Sequence, residues 1–273
     1  MDRGAARHGW HTIFFIGGAL GLLFAVFWFK LYSEPGENKW INEAELAYLR
    51  DGGAVTELAQ TKPEKFKWTT VRQLLGNRQL WGIYVAKFSL SSTLFFFFTW
   101  FPNYLVHEKH MDLIRAGLWA MLPFTAAMLG IILGGFWSDA MSRRGIDHSV
   151  ARKIPIVLGM LLCSILFAAN YTSVPIVVVG IMSLSFFGQG MAGGLDSMVA
   201  DMAPANHIGT TVGLCQFFAN FGGAVTPLVI GFIIQGTGSY SGGLLYVSAA
   251  ALLGVLAILL IVRRVDRVHI ASA

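Results

Sequence analysis

Seven apolar runs, each about as long as a bilayer is thick, leave this chain very few folds to choose from. They lie at approximately 12–29, 80–106, 117–137, 154–171, 174–200, 209–235 and 243–262. A helix needs about 20 apolar residues to cross the hydrocarbon core. Backbone in lipid must satisfy its own hydrogen bonds, so a spanning segment is a helix or a strand of a closed barrel. Barrel strands alternate apolar and polar side chains over about ten residues, whereas these runs are continuous. The sequence therefore predicts an all-α membrane protein with about seven transmembrane helices. Charge usage agrees: 13% of the 273 residues are Asp, Glu, Lys or Arg, against about 25% in a soluble domain.

The formal charge is +5, but the bases sit between apolar runs, which is a membrane-topology pattern and not a nucleic-acid surface. The segment between the first two runs carries Lys30, Lys39, Arg50, Lys62, Lys65, Lys67, Arg72 and Arg78; Arg143, Arg144, Arg152 and Lys153 follow two runs later; the tail adds Arg263, Arg264 and Arg267. Arg3, Arg7, Lys109 and Arg115 fall on the opposite side. The bias predicts a cytoplasmic long segment and C-terminus, and an N-terminus outside. No cleavable leader is evident at the N-terminus. Cys163 and Cys215 each lie inside an apolar run, as packed thiols rather than a disulfide or a metal site. His8, His11, His107, His110, His148, His207 and His269 show no ligand spacing and are expected to be solvated. No metal or cofactor is predicted.

Within the polar segment, Asn42 stands three residues before Glu45, a capping-box spacing that predicts a short helix. DGGAVTELAQTKPEK reads as flexible linker, and TTVRQLLGNRQLW as an interfacial helix entering the second span. Gly17 and Gly21, Gly130 and Gly134, Gly190 and Gly194, and Gly209 and Gly213 are each four apart, a spacing that lets helix backbones approach closely. Pro123 and Pro227 fall within spans, where freed carbonyls suit bends beside a cavity. The aromatics Phe95–Phe98, Trp100, Phe101 and Tyr104 read as packing and an interfacial belt.

At the end of the third run stands GGFWSDAMSRRG, residues 134–145. Gly134 and Gly135 allow close helix contact, Arg143 and Arg144 hold the turn inside, and Asp139 can meet a helix N-terminus or one of those arginines. The stretch resembles the loop signature of the major facilitator superfamily: Gly135, Asp139, Arg143 and Arg144 match, while Ala140 replaces a base and Ser142 a glycine. GWHTIFFIGGALGLLFAVFW with EPGENKWINEAELAYL, FFFFTWFPNYLV, DMAPANHIGTTVG and FFANFGGAVTPLVIGFIIQGTGSY are similar to the anion:cation symporters, among them permeases for glucarate, galactonate and hexuronates. The likeness runs from about residue 9 to the end.

That resemblance implies a major facilitator fold, of which two six-span halves make a full member. It divides the chain into a sixth family span with a short leader (1–29), a cytoplasmic central loop (30–78), a C-terminal six-helix bundle (79–263) and a cytoplasmic tail (264–273). It implies that a first half is missing, that this copy of the loop motif gates the inner mouth by docking on that half, and that the chain alone does not transport.

Polar groups inside the apolar runs are the candidate site. Lys87 lies about 10 Å of helix into the second run, where a charge costs about 2.5–3.5 kcal/mol; it either faces the bundle interior or snorkels outward. Ser91 is one turn on, on the same face. Asp196 can bind a proton, pair with Lys87, accept substrate hydroxyls, or reach the interface beside Asp201. Gln216 and Asn220 are four apart on one helix face and offer neutral hydrogen-bonding groups for sugar hydroxyls or for neighbouring helices. Gln189 is a weaker candidate of the same kind. The resemblance implies an amide where Lys87 stands and an aromatic side chain where Asp196 stands, so both are departures from the family pattern.

The function so implied is secondary transport of a sugar acid or related organic anion, proton-coupled, by alternating access, in the inner membrane. Its partners are membrane lipid, a small organic anion with protons, and an N-terminal transporter half, with no nucleic acid. A non-transporting truncated fragment, or a half-transporter that partners a separate half, is the alternative. A membrane enzyme would need a cluster of catalytic acids or histidines at one interface, and the sequence offers no such constellation.

Overall fold

The computed structural model describes residues 5–33, 36, 38, 40–51, 67–108 and 112–268, without the side chains of residues 5–10, 50, 113 and 114. The predicted linker, 51–65, falls outside the described residues except for Asp51, which ends a helix, and Arg3, Lys39, Lys62, Lys65, Lys109, His110 and His269 also fall outside them. Every described element is helical. Among the described residues, seven helical segments are long and apolar enough to cross a membrane: His11–Leu31, Arg78–Thr99, Arg115–Arg143, His148–Tyr171, Pro175–Met202, Ala205–Thr237 and Ser241–Leu260.

The chain divides into two units, Met1–Glu64 and Lys65–Ala273. The first holds α1 (Ala5–Leu31) and α2 (Glu43–Asp51). Asn42 starts α2 as predicted, its Oδ1 accepting the Glu45 N–H at 2.8 Å.

The second unit holds α3 (Trp68–Gly76), α4 (Arg78–Thr99), α5 (Phe101–His107), α6 (Leu113–Arg143), α7 (His148–Ser164), α8 (Pro175–Met191), α9 (Leu195–Met202), α10 (Ile208–Thr237) and α11 (Ser241–Leu260). Neighbouring helices follow the order α6, α8, α7, α11, α4, α10. Two apolar clusters fill the interior. One joins Leu74, Leu80, Ile83 and Tyr84 to Met160, Met198 and Ile258. The other is aromatic, built on Phe96, Phe97, Phe101, Tyr104 and Phe186, with Phe97 stacked on Phe186 at 4.1 Å between ring centroids. Phe98 remains 58% exposed, so the aromatic run divides between core and surface as its helical spacing requires.

Local chemistry sets the boundaries. Asn77 caps α4, accepting the Gln79 N–H at 2.9 Å and the Leu80 N–H at 3.3 Å. The predicted run to residue 106 is not one helix: α4 stops at Thr99 and α5 restarts at Phe101, with Pro102 in its first turn, where its missing N–H costs least. The fifth span is also interrupted. A 3₁₀ turn at Ala192–Gly194 separates α8 from α9, where two consecutive glycines each disfavour helix by about 1 kcal/mol relative to Ala. Pro123 and Pro227, in contrast, lie within the uninterrupted helices α6 and α10.

The end of α6 is closed by Gly145, at φ 77°, a left-handed backbone that suits glycine. The Gly145 N–H donates to Ser142 O at 3.1 Å and the Ile146 N–H to Met141 O at 3.2 Å, the double bond of a Schellman stop. The helix that follows is capped by Asp147, whose Oδ1 accepts the Ser149 N–H at 2.9 Å and the Val150 N–H at 3.3 Å. Asp147 sits directly before the first turn of that helix, whereas Asp139 lies in the last turns of α6.

Glycine spacing succeeded only in part. A Cβ on Gly130 would overlap the Phe187 carbonyl, one on Gly134 the Met191 carbonyl, and one on Gly190 the Ala127 carbonyl, so these three let α6 and α8 touch along their backbones. Gly159 and Gly188 do the same for α7 and α8, a pair split between two helices and invisible to a search along one. Among the described residues nothing lies within 4 Å of a Cβ placed on Gly17, Gly21, Gly135, Gly209 or Gly213.

The tail does not hang free over its described length. Val262, Val265 and Val268 are buried in the first cluster while Arg263, Arg264, Asp266 and Arg267 between them are exposed. Lys153 Nζ donates to Val262 O at 2.6 Å and to Arg263 O at 2.8 Å, the Val265 N–H donates to Ser149 Oγ at 2.9 Å, and the Val268 N–H to Met202 O at 2.9 Å.

Candidate functional site

Lys87 sits on α4 with its side chain 8% exposed. A buried ammonium without a counter-charge is costly, and Asp196 of α9 supplies one: Lys87 Nζ donates to Asp196 Oδ1. Of the options open to Asp196, the pairing with Lys87 is the one formed. The carboxylate lies in the first turn of α9, directly after the 3₁₀ turn at Ala192–Gly194. The 3₁₀ interruption of the fifth span thus lies beside the lysine of α4.

The two partners differ in access. The Lys87 side chain is buried, whereas that of Asp196 is 73% exposed. Ser91, one turn from Lys87 on α4, is 9% exposed. Its neighbours Ser89, Ser92 and Thr93 return their hydroxyls to the backbone of the preceding turn, at 2.9 Å, 2.8 Å and 3.3 Å. Polar side chains can thus lie mid-helix without an inter-helix partner.

Helix α10 seats against α4 because Gly222 and Gly223 admit Phe88 and Phe95. Gln216 and Asn220 are exposed on α10, and Asn220 Nδ2 donates to Gln216 O at 2.8 Å. That bond leaves the Gln216 amide and Asn220 Oδ1 for other partners. Gln189 stands elsewhere, on the seam of α7 and α8, where the Cys163 thiol lies 3.9 Å from its Oε1. Its neighbour Ser185 donates to Cys163 O at 3.1 Å. The structure thus brings Lys87 and Asp196 together, keeps Ser91 on the lysine's face, and sets Gln189 apart.

Three features at or near this site were not legible as such. Cys215, one residue before Gln216, is buried within electrostatic reach of Lys87 and Asp196. Tyr84, one turn before Lys87, is fully buried and stacked on Phe218 at 4.7 Å, and its hydroxyl has no hydrogen-bond partner among the described residues. At the other end of α9, Asp201 Oδ2 accepts from Arg152 Nε at 3.1 Å and lies 3.1 Å from His148 Nε2. His148, 51% exposed as expected of a solvated histidine, also reaches across to Asp201. Only the approach of α7 to α9 brings these groups together; no spacing along the chain signals it.

The motif residues Gly135, Asp139, Arg143 and Arg144 are all exposed at the end of α6. Among the described residues Asp139 forms no ion pair with either arginine. No group of three or more His, Cys, Asp or Glu side chains among the described residues can hold a metal ion.

Comparison with known proteins adds a family. The model described as Major Facilitator Superfamily matches residues 4–146 and again 146–272. The D-galactonate transporter of Escherichia coli O6:H1 is 40% identical over 262 residues, covering 95% of this chain and 61% of its own. The protein called "Probable galactarate/D-glucarate transporter GudP" of Bacillus subtilis is 40% identical over 263 residues, covering 95% and 58%. The hexuronate transporter of Bacillus subtilis is 28% identical over 266 residues, covering 95% and 59%. The chain spans about three fifths of the length of these relatives.

Proposed function

The chain belongs to the major facilitator superfamily, and on that premise we propose that it is the C-terminal part of a secondary active transporter for a sugar acid or a related organic anion. Proton-coupled symport by alternating access is the mechanism we assign to it. The observation that carries this reading is the Lys87–Asp196 pair: two opposite charges held against each other inside a bundle of apolar helices, one open to a ligand. Charges kept inside a membrane bundle mark substrate and proton routes by default. The names of the relatives, transporters for galactonate, galactarate or glucarate, and hexuronate, supply the substrate class.

In this reading Lys87, Ser91, Asp196, Gln216 and Asn220 contact the substrate, charges for its ionic groups and amides for its hydroxyls. Gln189 contributes by positioning, since its amide faces Cys163. The bundle at 79–263 rocks against a second, N-terminal half. Support comes from the helices themselves: α4 buries 72% of its most apolar window within the described structure, the spans carrying α6 and α10 only 22% each. Those open faces suit lipid or a further bundle. Gly135, Asp139, Arg143 and Arg144 are the latch between halves, and residues 1–29, 30–78 and 264–273 are a further span, a central loop and a tail. The distribution of lysine and arginine supports an inner-membrane protein with the loop and C-terminus in the cytoplasm.

Uptake of labelled galactonate and glucarate tests this, with the chain expressed alone and beside a separately encoded N-terminal half of a similar transporter. Uptake that requires the second half is the expected result. Uptake by the chain alone in liposomes would sink the two-half mechanism; no uptake in either case would sink the transport reading.

A further inference from the structure

The stretch after α11 bears on how the charge pair is held in place, whichever ligand the site takes. Helix α9, which carries Asp196, has 8 residues. So short a helix is not stable by itself and needs holding from outside. The 3₁₀ turn before it holds it weakly. A Cβ on Gly193 would meet only Ile131 Cγ1, at 3.8 Å, and one on Gly194 only Ile156 Cγ1, at 3.9 Å. A Cβ on Gly190 would overlap the Ala127 carbonyl, and one on Gly134 the Met191 carbonyl. The backbone contact that fixes α8 on α6 therefore ends at Met191, before α9 begins.

Residues 262–268 supply the missing hold. Val262 fills the notch that Gly82 leaves in α4: a Cβ on Gly82 would come within 2.6 Å of Val262 Cγ2. The chain then runs over the start of α7. There Lys153 Nζ donates to the carbonyls of Val262 and Arg263, and Ser149 Oγ accepts the Val265 N–H. It reaches α9 where the Val268 N–H donates to Met202 O at 2.9 Å. That carbonyl is one that a helix end leaves without a partner. Val262, Val265 and Val268 are buried in one apolar cluster with Met198 and Met202 of α9 and Ile83 of α4. The three valines are covered by the bundle itself, so a facing half neither makes nor removes these contacts. Arg152 also reaches α9, through Asp201. A long side chain fixes a helix less closely than a main-chain bond and a shared core do.

The stretch thus rests on the same two helices as the charge pair. Gly82 stands five positions before Lys87 on α4, and Met202 six positions after Asp196 on α9. We propose that residues 262–268 are a strap that positions α9 against α4, so that Asp196 meets Lys87. Lys153, Ser149 and Val268 are its positioning residues.

Amide hydrogen exchange of the full chain in lipid nanodiscs, followed by mass spectrometry, tests this. Val265→Asp combined with Val268→Asp puts charge into the apolar cluster and should expel the strap. Exchange over residues 195–202 should then rise at least about tenfold, while that of the α6–α8 seam stays within about twofold, as a local opening requires. Lys153→Met, which releases the two carbonyls, should raise exchange over 195–202 by about fivefold. Lys153→Arg, which keeps donors there, should restore the wild-type rate. Far-UV circular dichroism identifies a double variant that has lost its helices, and the two Lys153 variants then decide. Unchanged exchange over 195–202, an equal rise in the seam, or Lys153→Arg behaving as Lys153→Met overturns the inference.

Discussion

Helix α9 carries two carboxylates five residues apart, and they do opposite work. Asp196, in the first turn, meets Lys87 of α4 and stays 73% exposed. Asp201, near the other end, meets Arg152 and His148 of α7 and is 30% exposed, with Arg152 at 24% and His148 at 51%. In the first pair the base is buried and the acid open, and under the proposed function that opening is where a substrate would meet the pair. In the second both partners are half-covered and the contact ties two helices. The lesson is that an ion pair's role follows from which partner a ligand can reach, not from the charges alone.

The largest expected effect attacks the fixed frame on which both pairs depend. Gly190 of α8, just before the break leading to α9, packs on the Ala127 carbonyl. Gly190→Leu forces backbone apart in a close-packed seam, a cost at or above the usual 1–3 kcal/mol of overpacking; loss of the monodisperse peak in size-exclusion chromatography is expected. Next is Lys87→Met, which leaves Asp196 without its base and, under the proposed function, takes away the positive charge offered to the substrate. Sugar-acid affinity should fall by about a hundredfold, read by calorimetry; affinity within threefold of wild type, about 0.65 kcal/mol, would mean that the pair is structural, like that of Asp201.

Asp201→Asn should act on stability and not on affinity. A partly exposed pair contributes about 0.2–1 kcal/mol, so the unfolding midpoint should drop by a few degrees while ligand affinity holds. An affinity loss as large as that of Lys87→Met would erase the distinction drawn between the two ends of α9. The smallest effect belongs to Gln189→Ala, whose amide faces Cys163 and not the charge pair; affinity within about twofold is expected, below 0.5 kcal/mol.

Much of the fold was legible because the membrane makes length and hydropathy decisive. The seven runs, the cap at Asn42 and the packing role of Gly130, Gly134 and Gly190 all depend on neighbours in the chain or on a single helix face. Where the reading failed, the partner lay on another helix. Gly209 and Gly213 have the same spacing as Gly130 and Gly134, and a Cβ placed on either meets no described residue within 4 Å. Asp139 carries the motif, yet Asp147 caps the next helix. The pairing of Lys87 with Asp196 was one option among several, since 109 positions separate the two residues.

By itself the sequence determined that this is a bundle of membrane-length helices with a few polar groups stranded inside, because lipid admits no other way to satisfy so much apolar backbone. Only the tertiary structure decided which of those groups meet. A 3₁₀ break at Ala192–Gly194 starts a new helix beside Lys87, and the close seam of α6 with α8 fixes the half that precedes it. Spacing along one helix cannot encode the approach of two, so the accessibility of Asp196 and the burial of Lys87 became visible only when α4 and α9 were seen side by side.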